Sequence, residues 1–475
     1  MKKKSDWRTR FIRLCAVVLP LIVLCFTACK DEDKEENLPF DPTKPVVITD
    51  FSPKSGGIGN NIILYGENFG NDPKKLKVIV GGKEANIISV KNNILYCVVP
   101  RMATEGDVEI SVYDDNGEEV AFAEAEEKFT YVKQWLVSTL AGFENEKDAF
   151  QGEGAFDACG CIKGATWFSF DPKSNFDHLY LTCYNISSIR LIDLEEKTVT
   201  MQASLSATGD KPAIINWTVD ENQDMIISRD LGKDGNVNVL KTRASEFKSE
   251  VKLGNSKQQA AVGAFVHPQT GNIYYALYKD QSIYEYKFED KTTNVIASHP
   301  RVKETLRMVV HPTGKYAYLL RQYNERGNGY ISRMDYNSTA NQFTTPYIVA
   351  GSASGSGYRD GVGSRVQMNG PTQGVFVKNP EYAGEEDEYD FYFCDERNHC
   401  IRILTPTGRV VTFAGRGNDS SDPGFANGAL RSEARFAYPW ALAYDEKRKC
   451  FYVGERGMNR DGKEQAVIRK IAMEE

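Results

Sequence analysis

Histidine is scarce. The 475-residue chain has five, and none clusters with cysteine or acid at metal-ligand spacing, which argues against a His-rich metal site. Ten cysteines are present without a single CxxC pair. The chain lacks GxSxG, HExxH, a P-loop and any paired-carboxylate motif, so no familiar catalytic constellation is visible. An Asp-Gly-x-Gly segment at 360–363 is unaccompanied by the 12-residue EF-hand pattern. Excess positive charge is absent too: 58 Lys and Arg stand against 65 Asp and Glu, with pI ≈ 5.6, which disfavours nonspecific nucleic-acid binding. What is there is ordinary for a globular protein, 41% hydrophobic and 26% charged, and excludes a disordered or collagen-like chain. The length fits two or three domains, or a small one and a large one.

The N-terminus reads as an address. A basic segment, 1–13, precedes an apolar run, 14–28, that is short for a membrane span and contains Pro20. Residues 1–28 are therefore expected to be a signal peptide. Its end, Phe26-Thr27-Ala28-Cys29, resembles the bacterial lipobox, which implies lipidation of Cys29; the alternative is an ordinary signal peptide with a chance cysteine. Residues 29–45 form a tether whose acidic stretch, Asp31 to Glu36, resembles the surface-export signal of Gram-negative glycan degraders. With Cys29 lipidated, seven cysteines remain, an odd number. Cys394 and Cys400 flank a five-residue turn and could face each other across a hairpin; the favoured reading is that all seven are small buried residues on strands.

Residues 46–132 carry turn residues every eight to twelve positions and short alternating segments at Asn61–Leu64, Lys77–Val80, Ala85–Val90, Ile94–Val99 and Val108–Tyr113, ending near Phe129–Tyr131. This predicts an immunoglobulin-like β-sandwich. Ser52-Pro53, Ser55-Gly56-Gly57, Gly59, Gly66, Asn68-Phe69-Gly70, Val99-Pro100 and Gly106 resemble the IPT/TIG family, which implies a spacer or interaction module without chemistry.

Residues 133–475 repeat. An apolar strand ending in an Asp or His-Pro turn recurs at Trp167–Asp171, Trp217–Asp220, Ala264–His267, Met308–His311, Val375–Lys378 and Leu442–Asp445, each followed by an aromatic second strand. Six units of four strands predict a six-bladed β-propeller, so the whole chain is expected to be all-β. The last unit lacks a fourth strand, and Trp135–Leu140, with no strands of its own before it, is expected to complete that blade and close the ring. Asp395-Glu-Arg-Asn398-His-Cys-Ile401-Arg402, Asp360-Gly361-Val-Gly363…Gly370-Pro371 and Asn427-Gly428…Ala434-Arg-Phe436…Pro439 resemble the NHL family; Gly152-Glu-Gly154-Ala-Phe156 does so more loosely. NHL propellers include protein- and RNA-binding modules, lyases and many surface proteins.

His267 and His311 each precede Pro at the same repeat position and read as turn residues standing where other repeats have Asp; His178, His299 and His399 are isolated. No catalytic residue, metal or cofactor is assigned. Aromatic rings stack on sugar faces while Arg, Asn and Asp bond hydroxyls. That chemistry singles out Trp440, Trp167, Arg307, Asn216 and Gln373 at the mouth end of the first strands. Tyr358, Arg359 and Arg365 belong to a long connection, and Tyr184, Tyr323 and Arg397 lie on turns of the same face. Phe143, Phe150, Phe156, Phe425, Arg431 and Arg435 lie in the long connections too. Trp440, after Pro439, is the best exposed candidate; Trp217 is expected in the core, and Arg307 either in the core or facing the channel. A lipid anchor, tether, spacer and propeller resemble surface lipoproteins of polysaccharide-utilisation systems. The resemblance implies a non-catalytic glycan binder at the outer membrane, facing the exterior, with a transporter complex as partner. A propeller lyase or hydrolase acting on polysaccharide and a protein-interaction scaffold are the alternatives.

Overall fold

The computed structural model describes residues 38–475 apart from 102, 143–151, 163, 184–187, 205–210, 231–237, 254–259, 278–281, 299–305, 322–328, 461–462 and 475. The signal peptide, Cys29, Phe143, Phe150, Tyr184, His299 and Tyr323 lie outside the described residues. Two compact units emerge, residues 1–134 with 474–475, and residues 135–473. Both are all-β, and among the described residues the only helical segments are short 3-10 turns.

The first unit is an antiparallel sheet in the spatial order Val47–Ser52, Asn61–Glu67, Ile94–Val98, Lys83–Lys91, Leu76–Val80, Val108–Tyr113, Glu119–Glu124. Its last strand lies back against its first, enclosing Phe51, Ile62, Leu64, Val78, Leu95, Ile110 and Phe129. Strict alternation puts one residue in two into this core, as in Val108–Tyr113. The strand Glu119–Glu124 escapes the sequence reading because its buried positions hold only alanine while Phe122 faces out, half-exposed. Asn68 adopts a left-handed conformation, and its amide bonds the backbone of Asp41 and Lys44, fastening the Pro-rich segment to the sheet.

The second unit is a six-bladed propeller whose first strands, Ala165–Phe170, Lys211–Trp217, Ala261–Val266, Leu306–Val310, Pro371–Lys378 and Pro439–Asp445, adjoin one another in a ring. The second strands pair outside them at His178–Cys183, Met225–Asp230, Ile273–Leu277, Tyr316–Arg321, Tyr389–Asp395 and Cys450–Glu455. In the sixth blade the fourth strand is Trp135–Ala141, which pairs with Ile468–Met473 from Trp135↔Met473 to Ala141↔Ile468.

The residue that ends each first strand organises the following turn. Asp171 accepts from Lys173 N, Asp220 from Asn222 N, and Asp445 from Arg448 N; His267 Nδ1 accepts from Gln269 N, and His311 Nδ1 from Thr313 N. Imidazole therefore substitutes for carboxylate. In the fifth blade Asn379, one residue after Lys378, takes the part by accepting from Glu381 N. All seven cysteines of the described residues are buried; Cys394 lies opposite Ile401 and Cys400 opposite Asp395, and both are free thiols.

The connections leading into blades one, five and six fold along their own blade's outer edge. Gly154–Ala155, Gly361–Val362 and Gly428–Ala429 each add to a fourth strand. At Gly428 φ is +122°, a conformation that side chains rarely adopt, and a Cβ would also crowd the Glu433 side chain, so glycine is strongly favoured. Arg402 clasps the fifth-blade loop. Fully buried, it bonds Asp395 Oδ2 at 2.9 Å, Asp360 Oδ1 at 2.8 Å and the carbonyls of Gln367 and Arg359. Arg469 repeats the arrangement in blade six with Glu455, Asn427 and the carbonyls of Ala426 and Arg435, and Arg190 pairs with Glu153 in blade one. Burial pushes the Asp395 carboxyl up while Arg402 pulls it down.

Candidate ligand site at the propeller channel

Arg307, Trp440, Trp167 and Gln373 stand at the second or third position of four inner strands. All four are buried. Trp440 departs from expectation, being 6% exposed rather than open. The reason is tertiary: the Arg307 guanidinium reaches from blade four to 5.8 Å from the Trp440 ring in blade six, and Arg456 lies 4.6 Å from the same ring. Arg307 also donates to the Val262 carbonyl in blade three. Gln373 has a structural task. Its Oε1 accepts from Phe168 N at 2.7 Å and Leu442 N at 3.1 Å, and its Nε2 donates to Phe168 O at 2.7 Å. The amide thus ties blades five, one and six together and has little left for a ligand. Trp167 packs in the core between blades one and two.

Asn216 does not join the group. It is the last residue but one of Lys211–Trp217, toward the opposite end of the channel, where its Nδ2 donates to Ala264 O. Trp217 is partly buried, donates to Ser169 Oγ at 2.9 Å, and packs against Tyr180 and Phe247 as a core aromatic.

Nor does the fold bring Tyr358, Arg359 and Arg365 to the channel, because their loop runs along the outer edge of blade five. The Tyr358 ring lies 3.9 Å from the Arg416 guanidinium, and its hydroxyl bonds Thr412 Oγ1 at 2.9 Å. Arg359, Arg365 and Arg397 are exposed.

Among the described residues, Trp440 Nε1–H at the channel end is shielded from solvent and has no hydrogen-bond partner. A buried donor left unpaired costs about 1–3 kcal/mol. Its neighbours are two guanidinium groups, and Arg456 is balanced in part by Glu396 at 3.8 Å. The chemistry available is a cluster of donors around an aromatic ring. It suits a ligand rich in acceptor oxygens. Among the described residues no group of three or more His, Cys, Asp and Glu side chains could hold a metal ion.

Fold and site together define a two-domain all-β protein, an IPT/TIG sandwich followed by a six-bladed propeller. The IPT/TIG domain profile matches residues 45–131. A crystal structure of an auxiliary nutrient binding protein from Bacteroides thetaiotaomicron is 42% identical, with a TM-score of 0.81, over 92% of this chain and 100% of that one. An auxiliary nutrient binding protein from Bacteroides ovatus is 40% identical, with a TM-score of 0.66 over the same shares. A further Bacteroides thetaiotaomicron structure, provisionally described as a phosphatase, is 33% identical, with a TM-score of 0.78 over 92% of this chain and 99% of that one. No curated protein matches. The chain belongs to the family of these Bacteroides proteins.

Proposed function

We propose that this protein is a cell-surface lipoprotein that captures an oligosaccharide or polysaccharide nutrient without turning it over. Cys29 carries the lipid, residues 30–45 the tether, and the IPT/TIG domain serves as spacer at the outer membrane. The propeller hands its ligand to an outer-membrane transporter complex. The nutrient-binding description of relatives 42% and 40% identical supports the class of function. The single structural observation that carries the site is the unpartnered, buried Trp440 Nε1–H beside Arg307 and Arg456. A sugar hydroxyl or ring oxygen that displaced the covering guanidinium groups would accept from this donor.

The test is retardation in native gels cast with plant, host and microbial polysaccharides, with parallel assays for released reducing ends and for phosphate freed from p-nitrophenyl phosphate. Retardation by one polysaccharide with neither product is the expected result. Released ends or phosphate would replace the reading by an enzyme, and no retardation by any polysaccharide would leave a protein-interaction scaffold. The Trp440→Phe variant deletes the donor and trims the buried ring; it is expected to weaken binding about tenfold, as the loss of one buried hydrogen bond does, and melting curves recorded alongside separate that loss from a loss of packing.

A further inference from the structure

The solvent face of the first unit's sheet is apolar where alternation calls for polar residues. An antiparallel sheet with one face on a core ordinarily turns apolar residues in and polar ones out. In Asn61–Glu67 and Ile94–Val98 the inward set is Ile62, Leu64, Leu95 and Cys97. The outward set is Ile63, Tyr65, Ile94, Tyr96 and Val98, with Tyr65 37% and Tyr96 41% exposed. A β-bulge between Ile87 and Ser89 enlarges it. Regular alternation back from buried Val90 would turn Ile88 inward, yet Ile88 is 56% exposed. Apolar residues scattered singly on a surface are ordinary; a contiguous set marks an interface.

The strand registers arrange this face in rows across four strands. One row runs Asp50, Tyr65, Ile94, Lys91. The next runs Ser52, Ile63, Tyr96, Ser89. Each row has an apolar middle and polar ends, and the first carries opposite charges at its two ends. Lys54 does not cancel the acidic end, because Asp50 at 2.6 Å and Glu127 at 3.2 Å share it. Such a row is complementary to its own reverse. A two-fold axis along the strands, above the middle of the rows, lays each row on itself turned end for end. Asp50 then meets Lys91 of the second copy, Tyr65 meets Ile94, Ile63 meets Tyr96, and Ser52 meets Ser89.

We propose that the IPT/TIG unit pairs face to face with a second copy of this chain through these rows. The order of charges is what commits the face to that occupant. A neutral sugar chain has no use for it, and an unrelated protein would have to carry the same row in reverse. Apolar middles pack as two sheets do, roughly 10 Å apart, while the row ends fix the register. Four strands about 4.8 Å apart, with rows about 7 Å apart, give a footprint on the order of 400 Å² per copy. That is about half of the roughly 800 Å² a side of a stable complex, so the pairing is reversible and weak. It does not depend on the ligand reading of the propeller.

Sedimentation velocity tests the proposal on the chain from residue 38, which keeps every described element and leaves out the apolar run 14–28 that could associate by itself. Between about 5 and about 500 µM the chain is expected to pass from monomer to dimer and no further. Asp50→Lys and Lys91→Asp each put like charges at both ends of the row, and each is expected to weaken the dimer about tenfold. The double variant Asp50→Lys, Lys91→Asp reverses the row and is expected to restore pairing to within about threefold of the parent. Tyr96→Asp, in the middle of the second row, is expected to leave a monomer at every concentration. All three positions are exposed, so melting temperatures near that of the parent are expected throughout. A chain monomeric at the highest concentration, a dimer untouched by Tyr96→Asp, or a double variant that pairs no better than the single ones would each overturn the proposal.

Discussion

Arg402 is a fully buried cation whose charge is matched inside the protein by Asp395 and, at the loop, by Asp360. Removing one partner of a buried pair strands the other, at a cost of about 3–5 kcal/mol. Arg402→Leu is therefore expected to lower the urea midpoint sharply, and the double variant Arg402→Leu, Asp395→Leu to recover part of the loss. Equal destabilisation by the single and double variants would mean that the pair is not coupled. His399 makes a pH-dependent contribution. Burial, aided by nearby Arg416, lowers its pKa to about 4. The unfolded chain, with its imidazole near the ordinary value, binds more protons between about pH 6.5 and 4. The contribution is thus complete above about pH 6.5 and is lost as pH falls toward 4, at most about 3 kcal/mol. His399→Asn, which tolerates the left-handed backbone at this position, removes that titration. Melting curves from pH 7 to 4 should fall less steeply for the variant than for the parent; parallel curves would rule out His399 as a source of the acid sensitivity.

At the scale of elements, the lead-in loops are structural staples more than a ligand rim. Each adds a two-residue strand to a blade edge, and the arginine two or three places into the third strand locks it there. Gly428→Ala combines an unfavourable φ with a collision at Glu433, and is expected to cost about 1–3 kcal/mol. Gly408, in the same φ range but with nothing within 4 Å, isolates the backbone term: Gly408→Ala should cost less. Thermal unfolding of both variants reads the difference. The Asp-Gly and Asn-Gly motifs were legible in the sequence because glycine and its acid partner stand within a few residues of each other. Which blade edge they cover was not, since it depends on an arginine about forty residues away.

For the whole propeller, the first and last described strands share a sheet, with Val137 buried against Ile471 and Phe451. A chain begun at Trp135 is expected to yield a monomeric propeller. One begun at Phe143 uncovers the Ile468–Met473 edge and loses the Trp135 and Val137 side chains from the core, several kcal/mol of apolar burial. Size-exclusion chromatography should find the shorter chain aggregated; a stable monomer would show that the other five blades hold the ring without it.

The sequence by itself determined the strand count of the blades, the Asp or His turns that punctuate them and the IPT/TIG sandwich, because those follow from period-two alternation and local turn chemistry within a dozen residues. It also placed the cysteines in the interior. Only the tertiary structure decided that Trp440 is covered, since the cover is Arg307, 133 positions earlier, and that Gln373 is a bridge, since its partners are Phe168 and Leu442. Burial and hydrogen-bond satisfaction are set by neighbours that ring closure brings together, and no local pattern encodes them.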